Sequence, residues 1–168
     1  MRELVELSRK TISLKRNEYL TIHGDVDTNV YYVKSGSLKV YVLDGNEEQI
    51  IRFGYKDNFI VLLDSFLTGR PTIFNIQAIK KTEIIVISKT EVEEFKNHEI
   101  NKVAWIQLLE SLVLQQIDRE IDILTNSTEE RYKRVLNRSP QLFQEIPNRY
   151  IANYLRMSPE TLSRLKKS

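Results

Sequence analysis

The sequence predicts an α+β chain whose strands and helices occupy separate halves, an antiparallel body first and a helical tail after it. Three observations predict this. All five glycines (Gly24, Gly36, Gly45, Gly54 and Gly69) fall before position 71 and punctuate short segments rich in Val, Ile, Tyr and Phe, the composition of short strands joined by turns. Residues 100–125 hold neither Gly nor Pro and repeat apolar residues at helical spacing. Residues 146–168, IPNRYIANYLRMSPETLSRLKKS, read as two short helices and a tight joint.

In the first half, residues 30–34 (VYYVK) form a strand that Ser35-Gly36 ends, and 38–43 (LKVYVL) form the next, with Lys39 and Tyr41 on one face and Val40 and Val42 on the other. Asp44-Gly45 is a hairpin signal, after which 49–53 return. Segments 59–63, 73–79 and 83–88 continue the β pattern, and 73–79 sets Ile73, Asn75, Gln77 and Ile79 against Phe74, Ile76 and Ala78. A sandwich, a roll or a barrel fits these short strands.

The character changes after Ser88. Residues 89–99 (KTEVEEFKNHE) read as a short polar helix. Beyond it Ile106, Leu109, Val113, Ile117, Ile121 and Leu124 recur at spacings of 3, 4, 4, 4 and 3, and Trp105, Leu108 and Leu112 widen the stripe. Coverage this wide asks for two partners, the β body on one side and a second copy of the helix on the other, as in a parallel coiled-coil dimer. A helix lying only on the body is the plainer alternative. Thr125-Asn126-Ser127 breaks the helix, and the domain boundary is placed near Asn126. Ser127 or Thr128 caps the next helix, 128–138, with Glu129 and Glu130 in its first turn. Ser139-Pro140 ends it, and 141–144 link onward.

The two last helices are expected over 148–155 and 159–167. Ile151, Ala152 and Leu155 share a face of the first. Ser158 caps the second, and Pro159 suits its first position, where no N–H is needed. Leu162 and Leu165 turn inward, whereas Glu160, Thr161, Ser163, Arg164 and Lys167 are presented outward or sideways. A helix-turn-helix has this form, and its second helix enters the DNA major groove. A capped helical tail packed on a globular body would share the pattern. Two details favour the former. Ala152 is small where the helices cross, and residues 126–168 carry nine Lys/Arg against four Asp/Glu while the preceding part carries sixteen against nineteen.

Composition excludes several classes of function. There is no cysteine, hence no disulfide, thiol nucleophile, iron–sulfur cluster or cysteine-bound zinc. His23 and His98, the two histidines, read as surface residues rather than haem or metal ligands. No Ser-His-Asp arrangement and no phosphate-binding glycine loop stands out, and Glu47-Glu48 and Glu93-Glu94 sit in polar, solvated stretches, so no enzyme is expected. The start, MRELVELSRK, lacks the apolar core of a signal peptide, and apolar runs such as 84–87 are far too short to span a membrane. A cytoplasmic protein with no membrane association is expected.

The segments SGSLKVYVLDGNEEQIIRFG (35–54), DSFLTGRPT (64–72), EERYKRVL (129–136) and IPNRYIANYLRMSPETLSRLKK (146–167), in this order, resemble the Crp/Fnr family of bacterial transcription regulators. The resemblance covers nearly the whole chain and is greatest to the branch common in Bacteroidetes, whose members stop soon after the recognition helix. It implies an N-terminal antiparallel β-roll of cyclic-nucleotide-binding type (a double-stranded β-helix, jelly-roll or cupin-like) over 1–99, a long dimerisation helix over 100–125 and a helix-turn-helix DNA-binding domain over 126–168. The N-terminus looks short for the family, so the leading helix is expected reduced or missing. The implied function is a homodimeric, sequence-specific regulator on a pseudo-palindrome in double-stranded DNA, with RNA polymerase as a further partner. A ligand-binding or protein-interaction module that keeps the fold without specific DNA binding is the alternative.

The resemblance also implies residue roles. Arg149 meets a phosphate, Glu160 and Arg164 read bases, Thr161 and Ser163 contact the backbone, and Arg156, Ser158 and Lys167 complete the DNA-facing set. Two departures stand out. Pro159 occupies the place of a base-contacting arginine, and Arg156 the place of the turn glycine, where either a positive φ at some cost or a differently built turn is expected. In cyclic-AMP-binding relatives a Gly-Glu pair holds the ribose and a downstream Arg the phosphate. Here those places read Val61-Leu62 and, near Pro71-Thr72, no arginine in register, since Arg70 looks shifted. Control by cyclic AMP is therefore not expected, and no cofactor is implied. The expectation is either a differently polar or apolar effector pocket lined by Phe59, Leu62, Phe66, Arg70, Thr72 and Phe74, or no small ligand at all. Phe59, Phe66 and Phe74 serve equally as ordinary core.

Overall fold

The computed structural model describes residues 2–167. Met1 and Ser168, the outer ends of the first and last expected domains, lie outside the described residues. The chain runs α1 (Arg2–Leu7), β1 (Thr11–Leu14), β2 (Tyr19–Thr21), β3 (Val30–Ser35), β4 (Ser37–Asp44), β5 (Glu47–Tyr55), β6 (Phe59–Val61), α2 (Leu63–Thr68), β7 (Asn75–Ala78), β8 (Thr82–Ile87), α3 (Lys89–Phe95), α4 (Glu99–Leu124), α5 (Thr128–Arg138), α6 (Leu142–Glu145), α7 (Asn148–Tyr154) and α8 (Pro159–Leu165).

The strands form two antiparallel four-stranded sheets, ordered β1-β8-β3-β6 and β2-β7-β4-β5. Side chains of both sheets meet in one core, with Val33, Ile60 and Ile84 from the first and Leu38, Val40 and Ile76 from the second. The α+β class and the roll of the sequence reading are both present. Around the Gly45-Asn46 turn Asp44 pairs with Glu47, and Gly45 takes a φ of 61°. The outer face of the first sheet is covered by helices: Leu4 of α1, Val92 and Phe95 of α3 and Trp105 and Leu112 of α4 pack with Val30, Val61 and Ile87. Ser88 and Glu91 form a full capping box on α3.

Several elements differ from the sequence reading. The leading helix is present but only six residues long, and its Leu4 is fully buried. β1 and β2 escape a composition-based reading because they are four and three residues long and flank a charged turn in which Asn17 has a φ of 66°. The strand expected over 59–63 stops at Val61, and the backbone N–H groups of Ser65 and Phe66 turn back onto Leu62 O to start α2. Gly69, at φ 68°, ends that helix. The helix expected over 89–99 stops at Phe95, before α4 begins at Glu99. The link expected over 141–144 is mostly the single-turn helix α6.

Gly36, between β3 and β4, has a φ of 89°, and a Cβ there would collide with Lys81 O and Thr82 Cα. Gly24, at φ 96°, has open space around that position. Gly36→Ala should therefore lower the unfolding free energy by at least about 2 kcal/mol and Gly24→Ala by about 1 kcal/mol. Urea titration of both variants checks the difference.

Candidate nucleic-acid interface

The recognition-helix candidate is built from local chemistry. Ser158 Oγ accepts from Thr161 N at 3.2 Å and Pro159 opens α8. Ile151, Leu155 and Leu162 are fully buried and Ala152 nearly so, which lets α7 and α8 cross closely. The joint between them turns at Arg156, whose φ of 51° departs from the usual residue preference. Met157 N donates to Ala152 O at 3.0 Å to close the turn. Arg131 of α5 supports it by donating to Arg156 O at 3.2 Å and to Thr125 O at 2.6 Å.

The outward face of α8 brings together Glu160, Ser163, Arg164 and Lys167, all exposed around a shallow hollow beside Pro159. Thr161 is half-buried, its Oγ1 within 3.2 Å of Ser158 Oγ. The backbone N–H at its own position and the Ser158 hydroxyl hold the Glu160 carboxyl below the usual carboxylate range. Arg156 is exposed at the joint. Arg149 stands apart from this group, at the start of α7. Its guanidinium lies 4.4 Å over the Tyr150 ring and donates to Tyr150 Oη at 2.5 Å, beside a cleft shared with Lys39 and Glu48.

The helical tail is seated on β5. Ile50 and Phe53 of β5 and Tyr41 of β4 join Val135, Leu142, Ile146, Ile151, Tyr154 and Leu162 in one apolar cluster. Asn153 donates to Glu48 O at 2.7 Å and accepts from Ile50 N at 3.0 Å, so its amide pairs with the β5 backbone as a neighbouring strand would. Arg119 of α4 donates to Ile50 O at 3.2 Å, and its guanidinium lies 3.8 Å from the Tyr154 ring centroid. Lys39, paired with Glu48, sits 5.2 Å from the Tyr150 ring. Lys80 pairs with Glu145 at 2.8 Å. Asp122, wholly buried, ties α4 to α5 by accepting from Arg138 at 2.5 Å and Arg134 at 3.1 Å. The carboxylate outweighs the effect of burial on Arg138 and holds that guanidinium above its usual range. None of Arg119, Asp122, Arg131 and Asn153 was singled out from sequence. The only signal available was that each is a polar residue on the apolar side of its helix.

Along α4 the expected dimer stripe is exposed at Ile106, Val113, Ile117, Ile121 and Leu124, the last at 78%. Leu109 is half-buried against the Trp105 cluster. Val103 and Leu114, also exposed, extend the apolar surface.

The six expected effector residues are dispersed. Phe59 and Phe66 join the Trp105 cluster, with the Phe66 ring tilted at 43° and 5.6 Å from the indole, while Leu62 and Phe74 belong to the core between the sheets. Arg70 is exposed. Thr72 is buried, and Asp64 accepts from Thr72 Oγ1 at 2.9 Å and Ile73 N at 3.1 Å. Nearby, buried Asp27 accepts from Tyr31 Oη at 2.8 Å and from Thr21. Burial, first, and Asp27, second, push the Tyr31 phenol up. Both histidines are exposed, and no group of His, Asp and Glu among the described residues is arranged to hold a metal. No helix among them is long and apolar enough to cross a membrane.

Comparison with known proteins places this geometry. The family model described as cyclic nucleotide-binding domain matches residues 11–99. The chain is 26% identical over 180 residues to the transcriptional activator protein Anr of Pseudomonas protegens, an alignment covering 98% of this chain and 72% of that one. Among solved structures it resembles FixK2 of Bradyrhizobium japonicum (TM-score 0.78, 16% identity, 94% of this chain and 82% of that one). It also resembles the catabolite activator protein of Thermus thermophilus (TM-score 0.58, 19% identity, 99% and 80%).

The Asp122 clasp can be tested directly. Asp122→Ala leaves Arg134 without a carboxylate and Arg138 with only Asp118 at 3.7 Å, and should destabilise the chain by roughly 2 kcal/mol, read as a lowered thermal midpoint. Doubling the mutation with Arg138→Ala should recover part of that loss.

Proposed function

Because the chain belongs to the cyclic nucleotide-binding domain family and is similar to transcription regulators, we propose that it is a homodimeric, sequence-specific DNA-binding regulator of Crp/Fnr type, not controlled by cyclic AMP. The carrying observation is α8: capped by Ser158, anchored by buried Leu162, with Glu160, Ser163, Arg164 and Lys167 exposed on one outward face. Arg164 would pair with guanine and Glu160 with a cytosine amine in the major groove. Arg149, Arg156 and Lys167 supply phosphate attraction.

The dimer reading draws on the exposed apolar stripe of α4, because an apolar surface of this extent marks an interaction site. Two antiparallel-facing half-sites about one DNA turn apart would then meet the two copies of α8. RNA polymerase follows as a partner from the regulator reading. Independence from cyclic AMP draws on Asp64. Its carboxylate already takes the Thr72 hydroxyl and the Ile73 N–H, where a phosphate would need donors, and Val61 and Leu62 offer a ribose no side-chain acceptor. The 126–168 segment serves as the DNA-binding domain, 100–125 as the dimer helix and 1–99 as the effector domain.

Selection of bound genomic fragments without added ligand, at two salt concentrations, should yield one palindromic motif. Arg164→Ala should relax preference at one position of that motif at a cost of about 1–3 kcal/mol, whereas Arg149→Ala should weaken all DNA alike and flatten the salt dependence. Equal and small effects at both positions would sink the proposal. Ile117→Glu should give a monomer in sedimentation and lose the palindrome.

A further inference from the structure

A cavity of about 550 Å³ lies where β5, α4 and the α5–α7 segment meet. It is separate from the α8 face. Phe53, Phe59 and Leu112 give it apolar wall, and Arg52 and Arg119 line it as well. Arg119 is only 5% exposed, and although its Nη2 reaches Ile50 O, its Nε and Nη1 have no acceptor. Arg52 is half-buried on strand β5, where its backbone pairs with Val40, but among the described residues its guanidinium takes part in no side-chain hydrogen bond or ion pair and has only the Tyr154 phenol as an electrostatic neighbour. Burial lowers both guanidinium groups from their usual range. The neighbouring acids are engaged elsewhere: Asp122 with Arg134 and Arg138, Asp118 with Arg138 at 3.7 Å, and Asp57 with the Tyr32 hydroxyl at 2.7 Å. The Asp122 charge still favours the Arg119 cation, but no carboxylate oxygen reaches its Nε or Nη1, and buried donors left without an acceptor are costly, a cost that an incoming anion relieves.

We propose that this cavity binds a small organic anion, a carboxylate or phosphate carried on a flat apolar body. Arg52 and Arg119 hold the anionic group, and Phe53, Phe59 and Leu112 pack against the body. The wall is shared by the β-roll, α4 and the helical tail, so an occupant touches all three. The site stands on its geometry, and its influence on DNA rests on the regulator reading above.

The test uses the full chain and two dyes of similar shape, anilinonaphthalene sulfonate and the uncharged N-phenylnaphthylamine, read by fluorescence. The wild type should bind one sulfonate dye per chain. Arg52→Gln should weaken the sulfonate by about tenfold or more and leave the uncharged dye within about twofold. Ser111→Trp, which places an indole in the cavity from its half-buried wall, should abolish both. Unchanged sulfonate binding in both variants would overturn the site, and equal weakening of both dyes by Arg52→Gln would overturn the role of the charge. Anisotropy of a selected operator with and without the dye separates the two readings. Dye binding with unchanged operator affinity overturns the coupling alone, and absence of specific DNA binding by the free wild type and by the dye-bound chain sinks the regulator reading alone.

Discussion

The open edge of β5 is the constraint on which the rest of the arrangement depends. β5 closes one side of its sheet, so its outward N–H and C=O groups need partners that no strand supplies. Side chains from two helices take that place: the Asn153 amide bridges Glu48 O and Ile50 N, and the Arg119 guanidinium takes Ile50 O. The edge is thereby satisfied and covered at the same time. The same contacts fix where α7 sits, and α8 follows from α7 through the buried Ala152 and Leu162. A β-roll with this edge left bare would present a template for pairing with other chains, and a helical tail without it would lose its polar anchor.

This explains which parts of the molecule were legible in the sequence. Turn chemistry revealed the strands, because Gly36 and Gly45 are required by backbone conformation and so mark ends independently of tertiary context. The Ser158-Pro159 start of α8 is equally local. Of the two readings open for Arg156, a positive φ or a differently built turn, the backbone takes the first. Short strands such as β1 and β2 carry too few residues for periodicity to register, and α2 depends on the Leu62 carbonyl rather than on a capping side chain.

The contacts that join the halves were not legible. Asn153 and Ile50 are 103 positions apart, and their bond links a side chain to backbone, so no pairing of residue types betrays it. Arg119 and Asp122 stand out in the sequence only as charged residues on the apolar side of α4, and nothing in the sequence says what they bond to. They are buried here because α4 is covered on that side by the roll and the tail together. The cavity shares this origin. It belongs to no single element, and Arg52 and Arg119 come together only when three segments are assembled.

Arg131 holds the linker at Thr125 and the turn at Arg156 with the two ends of one guanidinium. The linker before α5 and the turn between α7 and α8 are therefore braced to each other through one side chain. Asp122 also clasps α5 to α4 across residues 125–127, and Asn153 holds α7 to β5, so the α8 face is tied to the long helix and to the roll at once.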